Sequence, residues 1–350
     1  MKHLTENWSV TAAALDLFDG NTNVTTDAGM TGEMKTFYSK YLIETAEPEL
    51  VHQQFAQKQP IPRNGGKSIE FRKYSALPKA LTPITEGVTP DGQKLSMSTI
   101  TAAVDQYGGY IELSDVLMLT AVDNNLMQAT KALASQAGRT LDTVTREILN
   151  GGTNVQFADG QVMSRADLAG GSATAANNHY LTVSAIRKAV RTLRVMNAPR
   201  IDGCYVGIIH PDVAHDLMSD PDWKFPHQYV DTSNLYENEI GKIAGVRFVE
   251  TTEAKIWKKA GKDLSGGSAV AASRDVYSTL ILGADAYGIT EITGGGLRHI
   301  VKQLGSAGTA DPLNQRATAG WKAGMVAARL VEEYMVRVET TSSFNDAPAT

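Results

Sequence analysis

The alternation of apolar and polar side chains predicts a long hairpin in the first third of the chain. Residues 68–74 and 98–113 alternate with a period of two, which is typical of strands. Between them the chain is rich in Pro and Gly, and residues 89–93, TPDGQ, have the composition of a tight turn. An isolated hairpin is only marginally stable in water. We therefore expect this finger to lie either on its own chain or on a neighbouring copy.

Apolar residues that recur every three or four positions predict several helices. The longest runs from residue 123 to residue 149, about 40 Å, and stops at Asn150-Gly151-Gly152. Thr182 is a suitable N-cap for a second helix, which carries arginines on its polar side. A weaker helical pattern covers residues 34–59 and is broken by Pro48.

The second half of the chain alternates between predicted strands and helices, which indicates an α/β unit. Residues 205–209, 245–251 and 276–282 have the pattern of strands, and Pro211 is placed to open a helix. Residues 325–338 are predicted to form a strand, although a helix would suit them equally well.

Three segments show no periodicity. Residues 1–35 are polar and predict an extended arm without a core of its own. Residues 153–180 are rich in Gly, Ala, Asn and Ser and predict a linker or a mobile loop. The tail beyond residue 339 is polar and is expected to fray.

Composition narrows the class of protein. With 42% hydrophobic and 20% charged residues the chain is typical of a globular protein, and no apolar run is long enough to span a membrane. The start lacks the layout of a signal peptide, so synthesis in a reducing cytoplasm is the default expectation. The net charge is −5, and the chain lacks the basic patch expected of a dedicated DNA-binding protein. Any contact with nucleic acid should therefore be loose or local.

The candidate chemical sites are weak. Gly66-Lys67-Ser68 resembles the end of a phosphate-binding loop, but Ile61 stands where that loop needs Gly, and a predicted strand follows instead of a helix. His210 and His215 could hold a metal, but if Pro211 opens a helix, His210 is its cap and His215 lies a turn or more along, so the two need not converge. Asp212 and Asp216 are better explained as acids near the positive end of the helix dipole. The single cysteine, Cys204, excludes an intrachain disulfide and is predicted to be a packed thiol. No catalytic residues, cofactor or metal site is predicted.

Residues 19–30 imitate a calcium-binding loop only in part. Val24 stands where the turn of such a loop needs Gly, and Met30 stands where a bidentate Glu is needed. The segment of residues 311–322, with the sequence DPLNQRATAGWK, contains acidic, amide and basic groups. It specifies no nucleophile paired with a general base, so an interface is favoured over a catalytic loop.

Several segments together carry a family resemblance over about residues 20–340. They are IPRNGGKSIEFRKYSAL, YGGYIELSDV, NAPRIDGCYVGIIHPDVAHDL, EIGKIAGVRFVETTEA, LILGADAYG and DPLNQRATAGWKA. In this combination the sequence resembles the major capsid proteins of tailed bacteriophages, and more narrowly the N4-like capsid family. The resemblance implies an α+β HK97-type capsid fold.

The resemblance also implies a division of the chain into parts. These are an N-terminal arm (1–35), a helical segment (36–59), an extended β-hairpin loop (60–113), a peripheral domain with the long spine helix (114–179), an axial α/β domain (180–300), and a return to the peripheral domain with the C-terminal tail (301–350). Gly65 and Gly66 would form the hinge at the base of the extended loop.

The implied function is a shell subunit without enzymatic activity. It would assemble in the cytoplasm of a bacterial host into hexamers and pentamers of an icosahedral virion capsid around double-stranded DNA, with portal, scaffold and decoration proteins as further partners and no membrane. The expected subunit contacts are Arg63, Lys67, Arg72, Lys73, Glu86, Asp311, Asn314, Arg316, Trp321 and Lys322. Some relatives carry an N-terminal scaffold that is cleaved off, and this sequence shows nothing like it; no matching crosslinking motif is visible either.

Two other functions remain open. A bacterial nanocompartment shell, similar to an encapsulin, would have the same fold and would carry a cargo enzyme in place of a genome. A nucleotide- or metal-dependent enzyme that uses Lys67 or His210 is the alternative from another class, and it predicts a monomer or small oligomer.

Overall fold

The computed structural model describes the chain from residue 50 to residue 345, except for residues 63–65, 75–76, 82, 84–85, 88, 90–91, 121–124, 160–161, 175–176, 224–238, 267–268, 292–295 and 307–310. The helices are α1 (Asp115–Thr120), α2 (Asn125–Asn150), α3 (Val183–Val195) and α4 (Pro211–Ser219). The strands are β1 (Gln57–Lys58), β2 (Ser68–Tyr74), β3 (Met97–Ala103), β4 (Asp105–Ser114), β5 (Val155–Phe157), β6 (Ala169–Gly170), β7 (Tyr205–Ile209), β8 (Glu239–Ile243), β9 (Val246–Glu250), β10 (Ile256–Asp263), β11 (Val270–Leu282), β12 (Tyr287–Glu291), β13 (Arg298–Lys302), β14 (Arg316–Arg329) and β15 (Met335–Thr340).

Two compact units are built from alternating segments of the chain. Among the described residues, the first unit consists of Tyr110–Ala134 and Arg298–Trp321. The second consists of Ala46–Gly109, Ser135–Leu297 and Lys322–Thr350. In the first unit β13 lies beside β14 in a sheet, and the Asp115 N–H at the start of α1 donates to the Gln315 carbonyl oxygen at 3.0 Å.

An eight-stranded mixed sheet forms the centre of the second unit. Its order is β5-β15-β11-β7-β9-β8, and β10 pairs with both β11 and β6. β7 is parallel to β9 and antiparallel to β11. The core against this sheet includes the fully buried side chains of Tyr205, Tyr277, Phe248, Ile186 and Leu193. Burial of large apolar side chains of this kind contributes roughly 1.5–3 kcal/mol each.

Helix α3 forms where the sequence predicts it. The Thr182 hydroxyl accepts a hydrogen bond from the Ala185 N–H at 3.3 Å and so caps the first turn. Ile186 and Leu193 are buried, while Arg187 and Arg191 lie on the exposed side. The predicted amphipathic helix and its cap are confirmed.

Helix α4 begins immediately after the buried strand β7, as predicted. His210 is the N-cap, and its Nδ1 accepts a hydrogen bond from the Asp212 N–H at 3.2 Å. Pro211 occupies the first turn, where its missing N–H costs nothing. Burial lowers the pKa of His210, although the Asp212 carboxylate opposes that shift, so the ring can act as a neutral acceptor.

Residues 51–55 form a turn, and the predicted helix over residues 34–59 is wrong in this part; residues 34–49 lie outside the described residues. The His52 N–H donates to Asp142 Oδ1 at 2.7 Å, and His52 Nδ1 lies 2.6 Å from Asp142 Oδ2. Both side chains are buried. A long-range partner on α2 therefore satisfies backbone and ring together, and β1 follows at Gln57.

Residues 153–180 are not a linker. β5 pairs in parallel with β15, and β6 pairs in parallel with β10, so both strands belong to the large sheet. Leu168, which lies between β5 and β6 along the chain, is completely buried. The small residues of this segment allow close approach, since a Cβ atom at Gly170 would lie 2.7 Å from Arg274 Nε.

The C-terminal segment is more ordered than its polarity predicts. Residues 325–338 are mainly extended, as β14 and β15 separated by a short 3-10 turn. Thr341 and Ser342 beyond them are completely buried, so the predicted fraying does not begin at residue 339. The Asp216 carboxylate holds this tail, because it accepts hydrogen bonds from Ser342 Oγ at 2.7 Å and from the Ser343 N–H at 2.8 Å.

A buried acid on β15 is neutralised by two arginines. Glu339 accepts two hydrogen bonds from Arg165, at 2.7 and 2.8 Å, and lies 2.9 Å from Arg337 Nε. The guanidinium carbon of Arg165 stands 3.7 Å from the centre of the Trp257 ring. Desolvation lowers the pKa of Arg337, while the charge of Glu339 acts in the opposite direction.

Candidate subunit-interaction surfaces

The predicted finger exists as a two-stranded antiparallel hairpin, here called the finger and defined as residues 66–104. β2 pairs with β3 from Ser68 opposite Ala103 to Tyr74 opposite Met97. The Val104 N–H donates to the Lys67 carbonyl oxygen at 2.8 Å and closes its base. The predicted strands are confirmed, except that the second is interrupted at Val104, after which β4 begins.

One face of the finger base lies on its own chain. Phe71 is 3% exposed, and its ring covers Gly288 of β12, where a Cβ atom would lie only 2.6 Å from Phe71 Cε1. Lys73 Nζ lies 3.6 Å from a carboxylate oxygen of Glu333. The intrachain alternative for the finger is therefore correct for its base.

The distal part of the finger is exposed instead. Every described residue between positions 77 and 96 is exposed. Large apolar side chains are among them or directly follow them, namely Leu77 (52%), Leu81 (81%), Leu95 (62%) and Met97 (50%). Large exposed apolar patches mark protein interaction sites, whereas single exposed apolar side chains are ordinary, so these four residues are candidates because all of them lie on one hairpin. We call these four residues the finger-tip cluster.

The charged residues expected on the finger have different surroundings. Lys67 lies 3.5 Å from Asp105 in an exposed pair of the same chain, which is worth little by itself. Arg72 projects from the exposed face, opposite Thr99 of β3. Glu86 is exposed. Arg63 lies outside the described residues.

The expected hinge is described at one of its two glycines. Gly66 has φ +95°, a conformation that favours glycine, and no atom lies within 4 Å of the position that a Cβ would take. Gly65 lies outside the described residues. The hinge stays a prediction.

The first unit has exposed apolar side chains of its own. On α1, Val116 is 61% and Leu119 is 83% exposed. Tyr110 of β4 is 70% exposed and Leu313 is 74% exposed. None of these side chains stands out in the sequence, because a local pattern does not show which apolar side chains the folded chain leaves uncovered.

The polar cluster over residues 311–322 divides into buried and exposed members. Asp311 is buried, and its Oδ2 accepts a hydrogen bond from the Arg316 N–H at 2.8 Å. Trp321 is 4% exposed within strand β14. These two side chains support the fold of their own chain, and their expected place at a subunit contact stays a prediction. Asn314 and Arg316 are exposed and remain candidates.

Lys322 is also exposed and remains a candidate contact of the second unit. It belongs to β14, so the expected loop ends where this strand begins, at Arg316.

The candidate chemical groups do not converge. Gly66-Lys67 leads directly into strand β2, and not into the helix that a phosphate-binding loop requires. Cys204 is buried as a free thiol, as predicted. Within the described ranges, no group of three His, Cys, Asp or Glu side chains is placed to hold a metal ion. The helices in those same ranges are all too short or too polar to cross a membrane.

A model of the family described as "Phage capsid protein" matches residues 77–304. The chain belongs to this phage capsid protein family. The match includes most of the finger and α2, α3 and α4. The resemblance to tailed-phage major capsid proteins is thereby confirmed. Among curated proteins, none matches the sequence.

Solved capsids show the same fold at low sequence identity. The capsid of Ralstonia phage GP4 superposes with a TM-score of 0.61 at 15% identity, over 85% of this chain and 89% of that chain. The cyanophage Pam1 capsid gives 0.62 at 12% identity, over 86% and 93%. The head of Helicobacter pylori bacteriophage KHP40 gives 0.56 at 11% identity, over 81% and 87%. The chain is a phage capsid shell protein with the expected α+β HK97-type fold.

Proposed function

We propose that this capsid protein assembles into hexamers and pentamers of an icosahedral shell around double-stranded DNA. In this arrangement residues 60–113 are the extended loop, 114–179 with 301–350 the peripheral domain, 180–300 the axial domain and 1–35 the arm. The family match and the shared fold support a shell protein. Assembly in the cytoplasm of the bacterial host, with portal, scaffold and decoration proteins, belongs to the same proposal, and no enzymatic activity is assigned.

The finger-tip cluster is the observation that carries the proposal. The base of the finger is packed against its own chain through Phe71, whereas Leu77, Leu81 and Leu95 are more than half exposed. Removing apolar surface from water is worth about 25 cal/mol per Å². A neighbouring copy that covers these side chains would recover this free energy.

The contact between copies would be heterologous. A projecting finger on one copy must meet a different surface on the next, and head-to-tail contacts of this kind close into rings when the rotation permits. Hexamers and pentamers are such rings. Several contacts per subunit, each of roughly 1,600 Å² or more, make the assembled shell far more stable than any one contact.

Charged side chains at the contact between subunits would fix its register more than they would increase its strength. Arg72 on the exposed finger face and the exposed Glu86 are placed to meet opposite charges on a neighbour. The net charge of −5 keeps the contact between shell and enclosed DNA loose.

The proposal is tested by sedimentation and electron microscopy of the purified full chain. We expect closed particles from the wild type and their loss in Leu81→Asp, because a carboxylate in an apolar contact must be desolvated. Met163→Asp is the matched control, since Met163 is 91% exposed but lies outside the finger. Particles that form equally well with Leu81→Asp would contradict the proposal.

The contents of the particles distinguish the related alternative. Nuclease-protected DNA in particles from infected cells supports a virion capsid, whereas a defined enzyme without nucleic acid indicates a nanocompartment. A chain that stays monomeric and binds a nucleotide would restore the enzyme hypothesis.

A further inference from the structure

Helix α3 carries a cationic groove on its outer side. The groove has a volume of about 540 Å³ and is lined by Arg187, Val190, Arg191, Arg194, Val195 and Ala244. The three arginines supply positive charge, and the other lining residues are apolar. No acid is among these lining residues, all of which belong to the described part of the second unit.

The arginines form one stripe because of their spacing. Arg187, Arg191 and Arg194 are separated by four and then three positions, so they share a face of the helix. At 1.5 Å per residue the stripe is about 10 Å long. The opposite face of α3 is buried in the core, which fixes the direction of the stripe.

Most of the charge on this stripe is not neutralised by the chain itself. Arg187 pairs with Asp222 at 3.2 Å, and both side chains are more than half exposed, so the pair is weak. The neighbouring Lys188 donates to the Asp159 carbonyl oxygen. In the described part of the chain neither Arg191 nor Arg194 makes an ion pair.

We infer that this groove binds the phosphodiester backbone of DNA, an inference that rests on the proposed enclosure of a genome. A guanidinium group presents a planar fork that matches phosphate oxygens. Double-stranded DNA carries one negative charge per about 1.7 Å of its axis, so a stripe about 10 Å long faces several phosphates. The apolar residues beside the stripe can contact the sugar edges.

An acidic protein segment fits the stripe less well. Its carboxylates stand on flexible side chains, and fixing each of them against an exposed guanidinium costs about 1–2 kcal/mol of side-chain entropy. DNA holds its phosphates in a regular array that is already stiff. Because the whole chain has a net charge of −5, a contact confined to this groove is weak and salt-sensitive.

The test measures the salt dependence of DNA binding. A fluorescent DNA duplex is titrated with the full chain, below the concentrations that give particles, at about 50 mM and about 200 mM salt. With three phosphate contacts the wild-type affinity should fall about 40-fold between these conditions, whereas Arg191→Gln with Arg194→Gln should leave a fall of only about three- to fourfold. The double variant should also bind more weakly than the wild type at the lower salt concentration.

The control variant removes the same charge elsewhere. Arg298→Gln with Lys302→Gln changes two exposed basic residues of β13 and should keep the wild-type salt dependence. Equal effects of the two double variants would overturn the groove as the site, and so would an absence of DNA binding by the wild type. Displacement of the duplex by polyglutamate at an equal concentration of charge would favour a protein partner and would also overturn it.

Shell formation is scored separately, by electron microscopy of the same proteins at higher concentration. If the wild type forms normal shells but does not bind the duplex, only the proposal of DNA binding by the groove is refuted. A failure of the wild type to form shells, both alone and in infected cells, would refute the proposed function instead.

Discussion

The ring of Phe71 covers the Cα atom of Gly288 so closely that a Cβ atom there would lie 2.6 Å from Phe71 Cε1 and 3.0 Å from Phe71 Cζ. Phe71 belongs to β2 of the finger. Gly288 belongs to β12, a strand of another sheet that pairs with β1 and β14. The absence of a side chain at position 288 therefore permits the finger base to dock on its own chain.

We expect Gly288→Ala to loosen the finger base. The new methyl group must displace the Phe71 ring, at a cost of about 1–3 kcal/mol, typical of an overpacked site. Limited proteolysis should cut the finger faster, and the midpoint of urea unfolding should fall. Gly92→Ala in the same finger is the control, because no atom lies within 4 Å of its Cβ position.

A second substitution checks the cause. Phe71→Leu introduced into Gly288→Ala should relieve part of the clash, so the two effects should not add. Simple additivity would show that Gly288 acts through something other than Phe71.

Asp142→Asn should destabilise the second unit strongly. Asp142 accepts the His52 N–H at 2.7 Å and lies 2.6 Å from His52 Nδ1, with both side chains almost completely buried. Asparagine keeps one acceptor oxygen, so one of the two buried contacts with His52 is lost, at a cost of about 1–3 kcal/mol. Asp105→Asn removes an exposed pair with Lys67 and should cost no more than about 1 kcal/mol. If both variants lost the same free energy of unfolding in urea denaturation, burial would not be the reason for the effect of Asp142→Asn.

Alkaline pH should unfold the protein partly through Tyr287. Burial raises the pKa of its hydroxyl, and the charge of Asp142 raises it further. The folded state therefore keeps a proton that the unfolded state loses above about pH 10, so stability is full below that pH and falls above it. The slope from this one group is about 1.4 kcal/mol per pH unit.

Tyr287→Phe tests this assignment. The variant loses a hydrogen bond to the His52 carbonyl oxygen, about 1 kcal/mol near neutral pH, but its unfolding free energy should fall less steeply above pH 10. Tyr110→Phe, at a site that is 70% exposed, should keep the wild-type slope. An unchanged slope in Tyr287→Phe would refute the assignment.

Asp216→Ala should release the C-terminal tail. The carboxylate accepts hydrogen bonds from Ser342 Oγ, from the Ser343 N–H and from Ser343 Oγ, at 2.5 to 2.8 Å. We expect a loss of about 1–3 kcal/mol, because three hydrogen bonds to the carboxylate are lost and the Ser342 hydroxyl keeps only its longer contact, 3.3 Å, with the Asp212 carbonyl oxygen. Digestion by carboxypeptidase should become faster. Asp222→Ala, which changes an exposed partner of Arg187, should leave digestion of the tail unchanged.

Elements whose signals are local can be predicted from the sequence. The cap at Thr182, the Pro211 start of α4 and the alternation of β2 each lie within a few residues of the structure they specify. The family resemblance supplied the fold class, which composition and periodicity left open.

Tertiary structure decided what depends on partners far along the chain. His52 is drawn out of a helical pattern by Asp142, ninety positions away. β5 becomes a strand only because β15 lies beside it, with Val155 opposite Arg337. Trp321, which local polarity places at a surface, is buried in β14. Burial and strand pairing depend on which distant segments come together, and no short stretch of sequence contains that information.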